Sequence, residues 1–500
     1  MAKKRKLLIL DGNALVHRSF HAIPPLNGPH GEPVNAVYGF TTTLLKAWKE
    51  LQPTHIIATF DLPGGTFRDA LYTEYKAKRV EAPDELYEQL PLVKEVVDAF
   101  AIPIIEAPGF EADDMIGSLT KKFSKIEKII LTGDMDTLQL VDDETFIYTL
   151  RKGMSDTQIM NAQSVVLRTG VRPDQIIDYK ALRGDVSDNI PGVKGIGEKT
   201  AADLLQKFET LDNLFRELEN NSPSAQEIKA GVREKLMQHK ADALLSRTLA
   251  TIRRDVEIDL ELEEAAIHHY DRTKVVQLFQ HFGFTSLVSK LPESIQPTPV
   301  QATLDISQPV HIPNRPGQEY HLVNDEKVFS EFFALLRQED EFVFDTETTG
   351  LDLWQDRLLG ISFSWKKGEA WYVVVTPDRL DALRPIFTDA KKKKIGHNLK
   401  YDVEILQQHG ITVEGIYFDT MIASYLLNPG SRQYGLDASV FTEFGYEMMP
   451  LEALIGPKGK NQRRMTDVPI EHLSWYSGED ADFTWRLYQA LAPRLTQQGI

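Results

Sequence analysis

The chain has 500 residues, 42% of them hydrophobic and 26% charged, and no cysteine. That length fits about three domains or two large ones. The apolar fraction excludes wholesale disorder, and the lack of thiols excludes disulfides, thiolate zinc sites, cysteine nucleophiles and iron–sulfur clusters. The net charge of -17 does not exclude a polyanionic partner, because a total does not say where the charges sit.

The basic start, Met1 to Lys6, is followed by an apolar run, Leu7 to Leu10, too short for a signal-peptide core. No uninterrupted apolar stretch reaches the length of a membrane span, so no membrane partner is expected. A reducing, cytoplasmic setting fits the cysteine-free composition. Short apolar runs at Leu7–Leu10, Ile56–Phe60, Ile102–Ile105, Ile129–Thr132 and Phe146–Tyr148 read as buried strands. Helical patterns lie between them at Val34–Leu51, Asp84–Phe100 and Ala112–Phe123, with Pro83 placed to start the second. Alternation of this kind predicts an α/β fold with a mainly parallel sheet. From about Gln163 to Phe282 the pattern is mostly helical. Six prolines between Ser289 and Gln318 predict an extended tether. Beyond it, Phe342–Phe344, Leu358–Trp365 and Ala370–Val375 are strand-like with short turns, which predicts antiparallel pairing. Helices are expected around Lys400–Gln408, Asp419–Leu427 and Ile470–Leu491. The expected domains are residues 1–160, a helical subdomain over 161–290, a linker over 291–319 and a second domain over 320–500.

Acidic residues follow the strands of the first domain. Asp11 follows the first, Asp61 the second, and Asp134 and Asp136 the fourth. In a parallel sheet these C-terminal strand ends share one edge, the usual ligand side. Asp134 and Asp136 point the same way if the chain is extended there. Glu111 and Asp114 share a helical face, whereas Asp113 lies well round from them and has either a separate role or a distorted first turn. Asp185 and Asp188, three apart, can converge on a turn. Two carboxylates about 4 Å apart repel by roughly 4 kcal/mol at an effective dielectric of about 20. A group of six or more needs protons or cations, and hard divalent ions, Mg²⁺ or Mn²⁺, take oxygen ligands. A pair of such ions suits phosphodiester cleavage.

The segment Asn189 to Thr200 is glycine-rich and precedes an amphipathic helix. A mononucleotide P-loop needs lysine directly after the last glycine, and Glu198 intervenes. A dinucleotide fingerprint needs a preceding strand, which is lacking. The remaining readings are an ordinary helix–helix turn, or a hairpin between helices that binds a DNA phosphate. In the second reading Gly192, Gly195 and Gly197 permit close approach, and Lys194 and Lys199 add charge.

These motifs carry a resemblance. Leu10-Asp11-Gly12, Phe60-Asp61 with Thr66-Phe67-Arg68, Tyr75-Lys76-Ala77-Lys78-Arg79, Glu111-Ala112-Asp113-Asp114, Thr132-Gly133-Asp134-Met135-Asp136, and Gly184-Asp185 through Thr200 occur in order. Over about residues 1–290 the chain resembles the 5′ nuclease (flap endonuclease-like) domain at the start of the bacterial DNA polymerase I family (family A). The resemblance implies two metal ions, a structure-selective cut near a 5′ end and a helix–hairpin–helix grip on duplex DNA. It also implies that Arg68, Lys76 and Arg79 steer the scissile phosphate.

In the second domain Asp345 and Glu347, two apart on a strand, face one side. Asp402 follows a second segment, and Tyr476 and Asp480 share a helical face. Four carboxylates can bind two divalent ions, and a phenol can orient the attacking water. This set resembles the 3′–5′ proofreading exonuclease domain of the same family, a ribonuclease H-like fold. Glu479 and Asp482 lie nearby without matching its metal positions, and His397 and Asn398 belong to the motif segment without being ligands. The resemblance implies a nuclease that removes 5′ flaps or RNA primers and trims mismatched 3′ single-stranded ends. The family continues into a polymerase domain that these 500 residues do not include, so that domain is expected in cis or in trans. The alternatives are a nuclease-inactive DNA-binding scaffold and an RNA 3′ exonuclease of the ribonuclease D type. The latter leaves residues 1–290 unexplained.

Overall fold

The computed structural model describes residues 5–79, 81–150, 156–267, 269–292, 317–350, 352, 354–431, 433–456, 459 and 462–500. Most of the proline-rich segment, residues 293–316, lies outside them. The chain forms two compact units, one from residues up to Pro25 and Pro33–Val275, the other from Leu26–Glu32, Val276–Ser289 and the chain from Gly317 on.

In the first unit, β1 (Lys6–Asp11), β2 (His55–Thr59), β3 (Ile104–Ile105), β4 (Glu127–Leu131), β5 (Thr145–Leu150) and β6 (Thr157–Met160) form one sheet, ordered β3-β2-β1-β4-β5-β6. Leu7, Leu8, Ile9 and Leu10 are fully buried, as a central strand covered on both faces requires. Leu10 is in parallel register with Ala58 of β2 and Leu131 of β4. This register brings Asp11, Asp61 and the turn at 132–136 to one sheet edge. The expected parallel sheet is present, with β6 as an antiparallel strand on its rim.

Helices α1 (Gly12–Ala22), α2 (Asn35–Leu51), α3 (Phe67–Leu71), α4 (Asp84–Tyr87), α5 (Gln89–Ala99) and α6 (Ala112–Lys122) follow the strands. The expected single helix over 84–100 is therefore two. Pro91 has no N–H to return to the Tyr87 carbonyl, so the first segment ends and a new one begins. Helix α1 was not expected; it starts directly at the strand end, where the Asp11 carboxylate accepts from Ala14 N at 3.1 Å. In the helical part, α7 (Ala162–Thr169) and α8 (Ile176–Arg183) lead to a hairpin closed by reciprocal Asp185–Ile190 backbone bonds of 2.9 and 2.8 Å. Helix α9 (Glu198–Phe208) leaves that hairpin at Gly197, completing a helix–hairpin–helix.

The second unit holds β7 (Glu319–Val323), β8 (Glu341–Thr348), β9 (Leu358–Lys366), β10 (Glu369–Val374), β11 (Lys393–Gly396) and β12 (Ile416–Asp419), ordered β12-β11-β8-β9-β10-β7. The expected antiparallel pairing holds for β8, β9 and β10, while β7, β11 and β12 pair in parallel. Alternation splits β8 between two cores. Phe342 and Phe344 pack with Phe332, Phe363 and Phe387 on one face. Val343 packs with Ala481 and Trp485 of the long helix Ile470–Gln498 on the other. Asp345 and Glu347 share the face of Val343, so the strand period aims them at that helix. Among the described residues no helix is long and apolar enough to cross a membrane.

Candidate active sites

In the first unit, Asp11, Asp113, Asp134 and Asp136 face one another. Asp11 sits at the end of β1, accepting from Thr132 Oγ1 at 2.5 Å. Burial, and then the charges of Asp134 and Asp61, push its carboxyl up to about 7. Asp113 is raised well above its ordinary range by burial and by Asp134, Asp11 and Asp136. Asp136 is pushed up to about 7 by burial and Asp134, against the pull of Lys180. The 134–136 segment is a turn rather than extended chain, with Asp136 N donating to Asp134 Oδ1 at 2.8 Å. Asp61 lies at the rim, where its Oδ1 accepts from Ala112 N at 2.7 Å and ties the β2 end to the start of α6.

The other acids of this group already hold cationic side chains. Lys180 is buried and bonds both Asp136 and Asp185, the latter at 2.7 Å. Burial would raise Asp185, but Lys180 overrides it and holds the carboxyl down to about 2. Glu111 accepts from Lys76 Nζ at 2.6 Å, and Asp188 accepts from Arg79 at 2.6 Å. The Tyr75 hydroxyl lies between them, at 3.2 and 3.3 Å.

Two expectations are corrected here. Asp114 is wholly buried and turned away from the acids, and Arg68 is only 2% exposed. Arg68 donates to both Asp114 oxygens at 2.7 and 2.8 Å, and to the carbonyls of Leu249 and Thr251 at 2.9 and 2.8 Å. Asp114 also accepts from Glu111 N and Arg253 N. With four donors on it, Asp114 is spent as a cation ligand, and Arg68 faces the interior, not a phosphate. Asp113, the residue that helical spacing set apart, is the one that meets Asp11 and Asp134. The pair Glu111 and Asp114 does share a side, but that side is the cap of α6, where Glu111 N donates back to Asp114.

In the hairpin, Lys194, Gly195, Gly197 and Lys199 are exposed. Gly192 is not: its N–H donates to Ser246 Oγ at 2.9 Å, its φ is +60°, and a Cβ would fall 2.2 Å from Gly184 N. Its glycine serves close packing of the hairpin, which corrects its expected role at a phosphate. A cavity of about 810 Å³ opens beside Asp134 and Asp136, with Arg18, Arg79, Arg168 and Arg183 on its wall. Arg18, Arg168 and Arg183 are too scattered in sequence for any spacing rule to have gathered them.

The second site is tighter. Asp345, Glu347 and Asp480 place one carboxylate oxygen each within 4.8 Å of one another, the one such trio of potential metal ligands found among the described residues. Burial raises all three well above their ordinary range, reinforced by Asp402 and Asp480 at Asp345, by Asp345 at Glu347, and by Glu347 at Asp480. Asp402, on the helix Lys400–Gln408, accepts from Thr346 N and Oγ1 at 2.9 and 2.5 Å and is pushed up to about 6 by burial. Tyr476 stays firmly protonated, held so first by the Asp480 charge and then by burial. Glu479 and Asp482 point elsewhere: Glu479 takes the Tyr446 hydroxyl and Met449 N, and Asp482 takes Arg486, Tyr320 and Gly368 N.

An all-oxygen donor set, with Glu347 buried, Asp345 and Asp480 half-buried and their charges repelling, fits a hard divalent cation: no cationic side chain neutralises Asp345, Glu347 and Asp480 in the ion pairs of the described residues. The Asp11–Asp113–Asp134–Asp136 group is likewise all oxygen but looser, and Lys180 already bonds Asp136.

Known families match nearly end to end. Residues 6–170 match a family described as 5'-3' exonuclease, N-terminal resolvase-like domain. Residues 171–273 match 5'-3' exonuclease, C-terminal SAM fold, and residues 320–496 match 3'-5' exonuclease. DNA polymerase I of Chloroflexus aurantiacus is 37% identical over 98% of this chain and 55% of that protein. DNA polymerase I of Pseudomonas aeruginosa is 34% identical over 98% and 54%, and that of Bacillus subtilis 33% over 95% and 51%. The chain thus spans about half the length of these relatives. A solved T5 D15 protein, co-crystallized with metal ions, aligns over 55% of this chain and 93% of its own at 19% identity and a TM-score of 0.42. The chain carries the 5′-3′ exonuclease and 3′-5′ exonuclease domains and is similar over nearly all of its length to DNA polymerase I.

Proposed function

We propose that the two acidic groups are separate metal-dependent phosphodiesterase sites acting on DNA, one removing 5′ flaps or RNA primers and the other excising mismatched 3′ ends. The observation that carries this reading is the close trio Asp345, Glu347 and Asp480, with Glu347 buried and the other two half-buried, and Tyr476 beside it. Asp345, Glu347, Asp402 and Asp480 would hold the cations of the 3′ site. Asp11, Asp61, Asp113, Asp134 and Asp136 would hold those of the 5′ site, with Glu111, Asp185 and Asp188 around them. Mg²⁺ or Mn²⁺, two per site, would lower the charge on the phosphate and favour ionised water. Tyr476, kept as a phenol by Asp480, orients the attacking water as a donor or acceptor without surrendering its proton. Lys76 and Arg79 bring positive charge to the strand being cut, and Lys194, Gly195, Gly197 and Lys199 hold the duplex backbone at the start of α9. A polymerase domain, joined in cis or supplied in trans, would extend the 3′ end that the second site clears.

The test is a pair of labelled substrates in Mg²⁺, a 5′ flap and a 3′ mismatch. Asp345→Ala with Asp402→Ala should abolish 3′ trimming and spare 5′ cleavage; an equal fall in both would end the two-site assignment. Tight flap binding without product at any Mg²⁺ concentration would point to a scaffold. Preference for single-stranded RNA over DNA at the 3′ site would point to an RNA exonuclease.

A further inference from the structure

Three buried hydroxyls lie behind the acids of the 3′ site on the same side of the sheet. Across the strands, Asp345 of β8 is in register with Ser362 of β9, and Ser362 with Tyr372 of β10. One pair along, Glu347 is in register with Gly360. The Tyr372 side chain reaches over that glycine: a Cβ on Gly360 would fall 2.2 Å from the Tyr372 hydroxyl oxygen. The phenol is thus carried towards the Glu347 row through a gap that only a missing side chain leaves open. Tyr372 is 1% exposed and Ser362 and Ser477 are fully buried. Among the described residues, none of the three hydroxyl oxygens has a hydrogen-bond partner.

Buried hydroxyls without partners are rare in folded proteins and ask for an explanation. The Tyr372 ring needs none, since it fills a core with Leu454, Leu473 and Trp475. Phenylalanine would fill it equally. The hydroxyl adds only a hydrogen-bond donor and acceptor. Ser477 lies next to Tyr476 on the long helix, three residues before Asp480, and its hydroxyl is equally without a partner.

We propose that Tyr372, Ser362 and Ser477 form a donor shelf that positions Glu347 and Asp345 as ligands, Tyr372 acting as the principal positioning residue through the opening at Gly360. The inference rests on the cation-dependent reading of this site. Groups that orient ligating carboxylates typically change metal affinity or activity by about 10–100-fold when removed.

The test is Tyr372→Phe in the full chain, with Ser362→Ala as a second variant. The Mn²⁺ concentration giving half-maximal 3′ trimming should rise on the order of 10-fold or more, with 5′ cleavage as the unchanged internal control and the KM for DNA unaltered. Thermal unfolding supplies a readout apart from activity. In chelator Tyr372→Phe should melt no lower than the parent, because the hydroxyl has no partner to lose. In Mn²⁺ it should gain less stability than the parent. Equal losses in chelator and in Mn²⁺, or an unchanged Mn²⁺ requirement in both variants, would overturn the shelf. Asp345→Ala separates the two layers of argument. If it leaves 3′ trimming intact, the site reading and the shelf both fall. If it abolishes trimming while Tyr372→Phe changes nothing, only the shelf falls.

Discussion

Arg68→Ala should fail as a fold before it fails as a nuclease. The guanidinium holds both oxygens of a carboxylate with no exposed surface, and two backbone carbonyls from a segment more than 180 residues away. Truncation strands the Asp114 charge with only two backbone donors, which costs about 3–5 kcal/mol for a broken buried pair. Each abandoned carbonyl adds about 1 kcal/mol. A total of about 5–7 kcal/mol is on the order of a 10⁴-fold shift in the opening equilibrium, a large share of the 5–15 kcal/mol typical of a domain. Hydrogen exchange at the amides of α6 and of the helix Lys240–Ala250 reads that shift. Arg68→Ala should raise exchange there steeply, and adding Asp114→Ala should recover part of the loss by removing the stranded charge. Arg68→Lys should recover little, since one ammonium cannot span four acceptors. If Arg68→Ala exchanges like the parent and only loses 5′ cleavage, the residue serves the phosphate after all and the interior assignment is wrong.

The acid groups set a pH dependence with a definite sign. Asp402, raised to about 6, and Asp11 and Asp136, raised to about 7, hold protons in the folded chain that the unfolded chain has released. Stability in chelator should therefore fall as pH rises from about 4 to about 7 through these groups, and Mg²⁺ should flatten the slope; calorimetry at pH 5 to 8 with and without the ion checks it, and rising stability in chelator would refute it. Gly192→Ala should disrupt the α8–α9 hairpin, because the new Cβ meets backbone 2.2 Å away. It should weaken duplex binding with a lost helical signal, whereas Lys194→Ala with Lys199→Ala should keep the helices and only shallow the salt dependence, by about two units of slope. Circular dichroism beside binding titrations separates the two outcomes.

Strand ends and acids were legible because both are local. Leu7–Leu10 reads as a buried strand, Asp11 follows it, and parallel register does the rest. The same holds for Asp345 and Glu347, whose two-residue spacing puts them on the face of Val343. What was not legible depended on distant partners. Arg68 looks like a surface cation until Asp114, Leu249 and Thr251 are seen around it. Asp113 and Asp114 exchanged roles because helical spacing gives relative angles, not which angle faces the core; the return bond from Glu111 N settled that. Gly192 shared a motif with exposed glycines, and only the approach of Gly184 distinguishes it. The parallel strands β7 and β11 were hidden by charged and aromatic residues, as in Lys393 and Lys394, that give no apolar run.

The crowding of carboxyls behind each cutting edge has a corollary for folding. Replacing one of these acids with a neutral residue removes repulsion from a sheet whose strands are held by Leu, Ile, Val and Phe. For Asp345, Glu347 and Asp480, whose charges repel without a cationic partner, that relief is thermodynamically downhill in an ion-free chain, so folding alone gives no reason for the trio.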